Sequence, residues 1–132
     1  MITPSNQKSI LVVDGSEIVL DRIKALLTEL EEVNHISTAH GYHEALKLML
    51  DRKQDIVLLE LSLQDKSGFD LLTYIKKNHP GTRTIVLTNL SGDIYRAKSK
   101  EMGADYFIDK SREFDKITNI IREDWAVAYQ MN

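Results

Sequence analysis

Asp55-Ile56-Val57-Leu58-Leu59-Glu60-Leu61-Ser62-Leu63-Gln64-Asp65-Lys66-Ser67-Gly68 is the stretch whose reading decides the fold. Ile56 to Leu59 and then Leu61 are apolar, with only Glu60 between them. An apolar run without polar alternation reads as a strand covered on both faces, as in a parallel sheet between helices. Glu60 falls where that strand should end, and the polar loop Gln64 to Gly68 leads into a helical pattern. Open α/β sheets hold their ligands just beyond the carboxyl ends of the strands. Glu60 is therefore the first candidate site residue.

Working outward, Ser9 to Asp14 is a second short apolar strand ending in an acid. Gly15-Ser16-Glu17 turns the chain, with Ser16 placed to cap a helix and Glu17 suited to its first turn. Ile23, Leu26, Leu27 and Leu30 then recur at helical spacing, so a helix is predicted from Glu17 to Glu31. Asn34 to Ala39 is a weaker, more alternating strand suited to a sheet edge, and Tyr42 to Arg52 is helical. After the opening stretch comes a helix from Phe69 to Asn78, stopped by His79-Pro80-Gly81. Thr84 to Thr88 is a fourth strand. Ser91 is the expected cap of a helix to Met102, with Gly103 ending it. Ala104 to Asp109 is the fifth strand, and a last helix starting near Arg112 carries Phe114, Ile117, Ile120, Ile121 and Trp125.

Strands that alternate with helices imply a parallel sheet with right-handed crossovers and helices on both faces. The expected fold is α/β, a flavodoxin-like doubly wound sheet of five strands in the order 2-1-3-4-5 with five helices. It forms one domain over 9–128, with a flexible lead-in at 1–8 and a tail at 129–132.

Composition narrows the function. A chain of 132 residues with net charge −3 lacks the basic surface that non-specific nucleic-acid binding needs. It has no cysteine, which removes disulfide and thiolate chemistry and suits the cytoplasm. No apolar run approaches the ~20 residues of a membrane helix, and Met1 to Lys8 has no signal-peptide core. A cytoplasmic protein without membrane or direct nucleic-acid contact is expected.

The strand order makes the first and third strands neighbours. Asp14 and Glu60 then lie side by side, flanked by Thr88 and Lys110. Any one of these is ordinary polar punctuation at a strand end. Two acids, a hydroxyl and an ammonium converging from four separate stretches argue for a site.

With these residues the chain resembles the receiver domain of two-component response regulators, from about Ser9 to Trp125. The matching stretches are Ile10 to Asp14, Asp55 to Gly68, Ile85 to Thr88, Gly103 to Asp105 and Asp109 to Ser111. The resemblance implies that an adjacent pair of acids after the first strand holds Mg²⁺ and that the residue ending the third strand accepts a phosphoryl group. A hydroxyl and a lysine ending strands four and five would bind its oxygens, and an aromatic residue would act as a switch. By position these last three are Thr88, Lys110 and Phe107, and the phosphoacceptor equivalent is Glu60.

The departures are specific. Glu60 stands where the family has aspartate, and Gly15 stands at the second position of the acidic pair, leaving Asp14 alone. Gln64 and Ser111 replace common prolines, while Gly68 is retained. Glutamate is one methylene longer, which moves its oxygens by about 1.5 Å, and a misplacement of about 1 Å can cost on the order of a hundredfold in rate. Mg²⁺ is usually held by one or two carboxylates, so an acid missing at 15 removes a ligand as well. The expectation is an atypical receiver that works as a protein-interaction module, with no cofactor and no enzymatic activity. Any metal would be held weakly by Asp14, Glu60 and the Ser62 carbonyl. Glu60 has two readings left: an ion pair with Lys110, worth ~0–1 kcal/mol as an exposed pair, or a carboxylate satisfied only by water.

Partners implied by the resemblance are a histidine kinase, an output domain or another signalling protein. They would dock on the fourth helix, fifth strand and fifth helix, and a homodimer is allowed. The alternatives are a working phosphoreceiver with weak phosphorylation and Mg²⁺ binding, and a flavodoxin-like ligand-binding domain. The second is weakened because only Gly15 follows the first strand where a glycine-rich phosphate loop would be needed. His40 and His43 with Glu44 read as a solvated helix start rather than a metal site. His35 and His79 are isolated. Asp65 lies in the loop, beyond the strand end. Trp125, Tyr129 and Met131 read as partial packing against the sheet more than as a partner surface.

Overall fold

In the computed structural model, which describes residues 8–90 and 92–130 (126–130 by backbone only), each apolar run is a strand. The strands are β1 (Lys8–Val13), β2 (Val33–Ala39), β3 (Ile56–Leu59), β4 (Arg83–Thr88) and β5 (Tyr106–Asp109). All pairings are parallel and the order is β2-β1-β3-β4-β5. The helices between them are α1 (Glu17–Thr28), α2 (Tyr42–Asp51), α3 (Gly68–Asn78), α4 (Asp93–Glu101) and α5 (Ile117–Gln130).

Side chains alternate across a strand, so the sheet has two apolar faces and two cores. Ile10, Val12, Leu58 and Ile85 face Leu20 and Ile23 of α1 and Ile117 and Ile121 of α5. Leu11, Val57, Leu59 and Val86 face Ala45 and Met49 of α2 and Leu71 and Ile75 of α3. Every residue of β3 is buried, as the unbroken apolar run requires for a strand covered on both sides. The edge strand β2 is mostly half-buried.

Element ends show where local hydrogen bonding overrides the apolar pattern. Ser16 caps α1, its Oγ accepting from Val19 N at 3.3 Å. The third helix starts at Gly68 rather than Phe69, because Ser67 and Asp70 close a reciprocal capping box. Ser91 lies outside the described residues; the N-cap of α4 is Gly92, with no side-chain cap bond, and the helix ends at Glu101. Gly103, at φ +100°, makes the turn that follows. Strand β1 begins at Lys8, and α5 runs to Gln130.

The last helix was expected from near Arg112, but α5 begins at Ile117 after a 3₁₀ turn, Phe114–Lys116. Two carboxylates shape this entry. Asp109 Oδ1 accepts from Ser111 N and Arg112 N, at 2.9 and 3.2 Å, and Glu113 Oε1 accepts from Asp109 N at 3.0 Å. On α5, Trp125 is partly buried against the α1-side core, while the Tyr129 side chain and Met131 lie outside the described residues. Buried Asp124 ties α5 to the sheet, accepting from Arg83 Nε at 2.8 Å and Tyr106 Oη at 3.0 Å. Burial, then the charge of Asp124, pushes the Tyr106 hydroxyl above its ordinary pKa.

Candidate functional site

The register brings the strand ends level. Val13 pairs with Leu59, so the next residues, Asp14 and Glu60, emerge together. Glu60 N donates to Val13 O at 3.0 Å and Asp14 N to Ala39 O at 3.0 Å, which fixes both backbones to the sheet edge. Lys110 follows β5 directly, with its N–H donating to Thr88 O at 2.8 Å. Its side chain crosses the end of β4 to reach both acids. Nζ lies 2.6 Å from Asp14 Oδ2 and 2.5 Å from Glu60 Oε1.

The remaining carboxylate oxygens are also engaged. Asp14 Oδ1 accepts from Ser16 N at 2.9 Å, while Glu60 Oε2 accepts from Leu61 N at 2.7 Å and Ser62 N at 3.2 Å. Asp14 is 4% exposed and Glu60 7%, and the Lys110 side chain is 11% exposed. Burial disfavours the ammonium, but hydrogen bonds to Asp14 and Glu60 outweigh it and hold the Lys110 pKa above its ordinary value. The pair expected at the surface is thus a buried triad. Breaking a buried pair from one side costs about 3–5 kcal/mol, well beyond the surface figure.

The side chains of the other expected site residues take no part in this triad. Thr88 is fully buried, and its Oγ1 accepts from Leu90 N at 3.1 Å. Among the described residues its hydroxyl makes no hydrogen bond to Glu60 or to the Lys110 ammonium. Phe107 is half-buried, with the Arg96 guanidinium 4.6 Å above its ring. Arg96 also donates to Phe107 O at 3.4 Å and to Glu113 Oε1 at 3.2 Å, which ties α4 to the segment after β5.

At Gly15 a Cβ would meet nothing closer than His40 O at 3.8 Å, so no steric demand keeps glycine there. Gly68 is different: a Cβ would stand 2.3 Å from Glu60 O and 2.7 Å from Leu61 Cα. That close approach is why the loop after β3 can fold back on the strand end.

Asp65, read from sequence only as a loop acid, caps the neighbouring helix. Its oxygens accept from Tyr42 N at 2.9 Å and His43 N at 3.0 Å, at the start of α2. These backbone N–H groups hold its carboxyl far below the ordinary range. The His43 ring adds Nδ1 at 2.9 Å. His40 bridges Glu17 of α1 and Glu44 of α2 through its two ring nitrogens, and the Glu17 bond, then the Glu44 bond, raise its pKa. One ring facing two carboxylates from opposite nitrogens is an ion-pair bridge; no cluster of three or more metal-ligating side chains exists among the described residues. Glu113, at the centre of the turn after β5, is a site residue that the sequence reading missed. The Asp109-Lys110-Ser111 pattern, an aspartate followed two residues on by a turn donor, was the available signal.

The response regulator receiver domain pattern matches residues 10–122. The chain belongs to the response regulator receiver domain family. It is 30% identical over 117 residues to the sensory transduction protein LytT of Enterococcus faecalis, covering 86% of this chain and 46% of LytT. It is 27% identical over 118 residues to the response regulator protein VraR of Staphylococcus epidermidis, covering 88% of this chain and 56% of that protein. The receiver domain thus spans about half the length of these curated relatives. Among solved structures, a CheY-like receiver domain protein from Methanospirillum hungatei aligns with TM-score 0.85 and 25% identity, covering 96% of this chain and 99% of the other. A signal receiver domain from Pseudomonas fluorescens aligns with TM-score 0.85 and 25% identity, covering 99% and 96%. No helix of this receiver domain, among the described residues, is long and apolar enough to cross a membrane.

The Mg²⁺ that the family implies does not fit the donors present here. A divalent ion would need open carboxylate oxygens in near-octahedral array. The Lys110 ammonium stands between the two acids, their other oxygens accept backbone N–H groups, and Gly15 offers no side-chain ligand.

Proposed function

We propose that this receiver domain is an atypical one, a cytoplasmic protein-interaction module of two-component signalling that works without a phosphoryl group on residue 60. The observation that carries this reading is the Lys110 ammonium held at 2.6 and 2.5 Å by Asp14 and Glu60. In the family, that lysine meets the phosphoryl oxygens; here the Glu60 carboxylate already occupies it. The extra methylene of Glu60 supplies the reach, and the missing acid at Gly15 removes a metal ligand. Phosphoryl transfer depends mainly on positioning and on cations that neutralise developing charge, and this site is short of both.

On this reading the triad fixes the loops after β1, β3 and β5 in one arrangement. The signalling surface is the α4–β5–α5 face, where Arg96 holds Phe107 and Glu113 together. Its partner would be a histidine kinase, an output domain, another signalling protein or a second copy of the domain. Retention of Thr88, Lys110 and Phe107 favours the alternative, a receiver that is weakly phosphorylated. Incubation with a small phosphodonor and Mg²⁺, followed by intact mass and peptide mapping, separates the two. We expect unmodified protein; a stoichiometric phosphoryl adduct on Glu60 would reject the atypical reading.

A further inference from the structure

We propose that the groove between α1 and the turn after β5 binds a small organic anion, a carboxylate or phosphate on an apolar body, through Arg22 and Arg112. The regulatory meaning of such a ligand rests on the reading above, in which phosphate is not the input; the binding itself does not. Arg22, Ala25 and Leu26 line one wall, Ser111, Arg112 and Phe114 the other, around about 460 Å³. That volume lies within the roughly 300–1,000 Å³ of small-molecule sites, which pair an apolar lining with a few convergent polar groups. Ala25, Leu26 and Phe114 supply the apolar part, and Asp115 is the one acid among the lining residues.

The charge balance points to an anion. Among the described residues, neither Arg22 nor Arg112 makes a salt bridge, Arg112 acting on Asp109 only at longer range, whereas Arg83 and Arg96 are both paired. Arg22 lies 4.2 Å over the Phe114 ring. Stacking of this kind uses the flat face of the guanidinium and leaves its N–H edge for a bidentate acceptor. The comparable groove beside α4 lacks this property. Its Arg96 is committed to Glu113 and to Phe107 O, and Asp105 lines it.

The position gives the ligand a route to the triad. Ser111 and Arg112 follow Lys110 directly, and the backbone N–H groups of both are held by Asp109 Oδ1. An anion drawing Arg112 toward Arg22 would act on a turn that starts at the lysine of the triad.

Phenyl phosphate and benzoate are suitable probes, with inorganic phosphate and phenol as the anion-only and body-only controls. Amide chemical shifts should move and saturate at Ala25, Leu26 and Ser111 to Phe114, and follow at Lys110. Binding should be on the order of millimolar, as expected for so few atoms. Inorganic phosphate and phenol should each bind at least about tenfold more weakly, since each lacks half of the contacts. Arg22→Gln and Arg112→Gln should each weaken binding by about tenfold while leaving the spectrum of the free protein folded. Whichever of the two organic probes binds more tightly identifies the anion. Shifts that persist in the Arg22→Gln/Arg112→Gln double variant, or that scatter over the surface, would overturn the proposal. So would broadening of these amides that grows with protein concentration without probe, which would assign the groove to a second copy. None of these outcomes bears on phosphorylation of Glu60, which mass analysis decides separately.

Discussion

Lys110→Met removes the ammonium and keeps most of the side-chain volume. It leaves Asp14 and Glu60, 4% and 7% exposed, facing each other without a cation. Because Nζ lies 2.6 Å from one oxygen and 2.5 Å from the other, those oxygens can be no further apart than the sum, about 5 Å. Two like charges at about 5 Å and an effective dielectric of about 20 repel by about 3 kcal/mol. The molecule can escape by protonating one carboxyl. Holding a carboxyl of ordinary pKa near 4 protonated at pH 7 costs about 4 kcal/mol, so both routes meet near the same figure. The expected loss of stability at pH 7 is therefore about 3 kcal/mol, or roughly 10 °C in Tm for a domain of this size.

The pH dependence tests the cause. In the variant one carboxyl has a folded pKa raised above its unfolded value, so the penalty is present above the raised value and shrinks as pH falls through it. Urea unfolding of both proteins between pH 4 and 8 should show the gap closing toward the acid end. Glu60→Gln combined with Lys110→Met should recover at least about 1 kcal/mol of the single-variant losses, the coupling expected of groups in contact. A pH-independent gap, or zero coupling, would refute the buried triad.

The remaining expectations concern its surroundings. Gly68→Ala forces a Cβ to 2.3 Å from Glu60 O, a backbone atom, so a loss of about 1–3 kcal/mol is expected in denaturant melts. Asp65→Ala removes the cap of α2 and should cost about 1 kcal/mol at neutral pH. Because the Asp65 pKa is lowered from an ordinary 3.8, its contribution is fully present above that value and is lost as pH falls toward the depressed one. The stability gap to the variant should accordingly hold at pH 6 and narrow in strong acid. Gly15→Asp with Glu60→Asp restores a second acid where space exists and shortens the carboxylate that reaches Lys110. Calorimetric titration should then detect Mg²⁺ binding, with none expected in the parent chain, and an unchanged titration would mean that more than these two positions separates the pocket from metal binding.

The sheet was legible because its information is local. Ile56 to Leu59 and Ile10 to Val13 announce covered strands by themselves, and the strand order then follows from the fold class. The meeting of Asp14, Glu60 and Lys110 was legible as a neighbourhood, since all three follow strands. Burial and the sharing of one ammonium by both acids were not, because they depend on how far a lysine reaches across the end of β4. Asp65 was unreadable for a similar reason: the N–H groups that it caps lie 23 and 22 residues earlier in the chain. The start of the last helix was misread because Phe114 continues the apolar spacing of Ile117 and Ile121, while Asp109 and Glu113 bind the backbone into a tighter turn. Periodicity reports which side chains face the core, and it is silent on hydrogen bonds that compete for the same backbone.

On the proposed reading, the Glu60 oxygen that a phosphoacceptor would use is the one that the latch already uses. Glu60 Oε2 is held by the N–H groups of Leu61 and Ser62, so Oε1 is the oxygen with freedom to react, and it is the one that binds Lys110. Freeing it exposes Lys110 to Asp14 alone and leaves a buried carboxylate without its cation. An acyl phosphate on Glu60 would raise the charge of that residue from about −1 to about −2, beside Asp14, where Gly15 supplies no ligand for a compensating metal. Each further like-charge contact at about 4–5 Å costs about 3–4 kcal/mol at the same effective dielectric. Among the described residues Arg22 and Arg112 line one groove and make no salt bridge, and on the proposed reading they are where an anionic signal meets the least opposition.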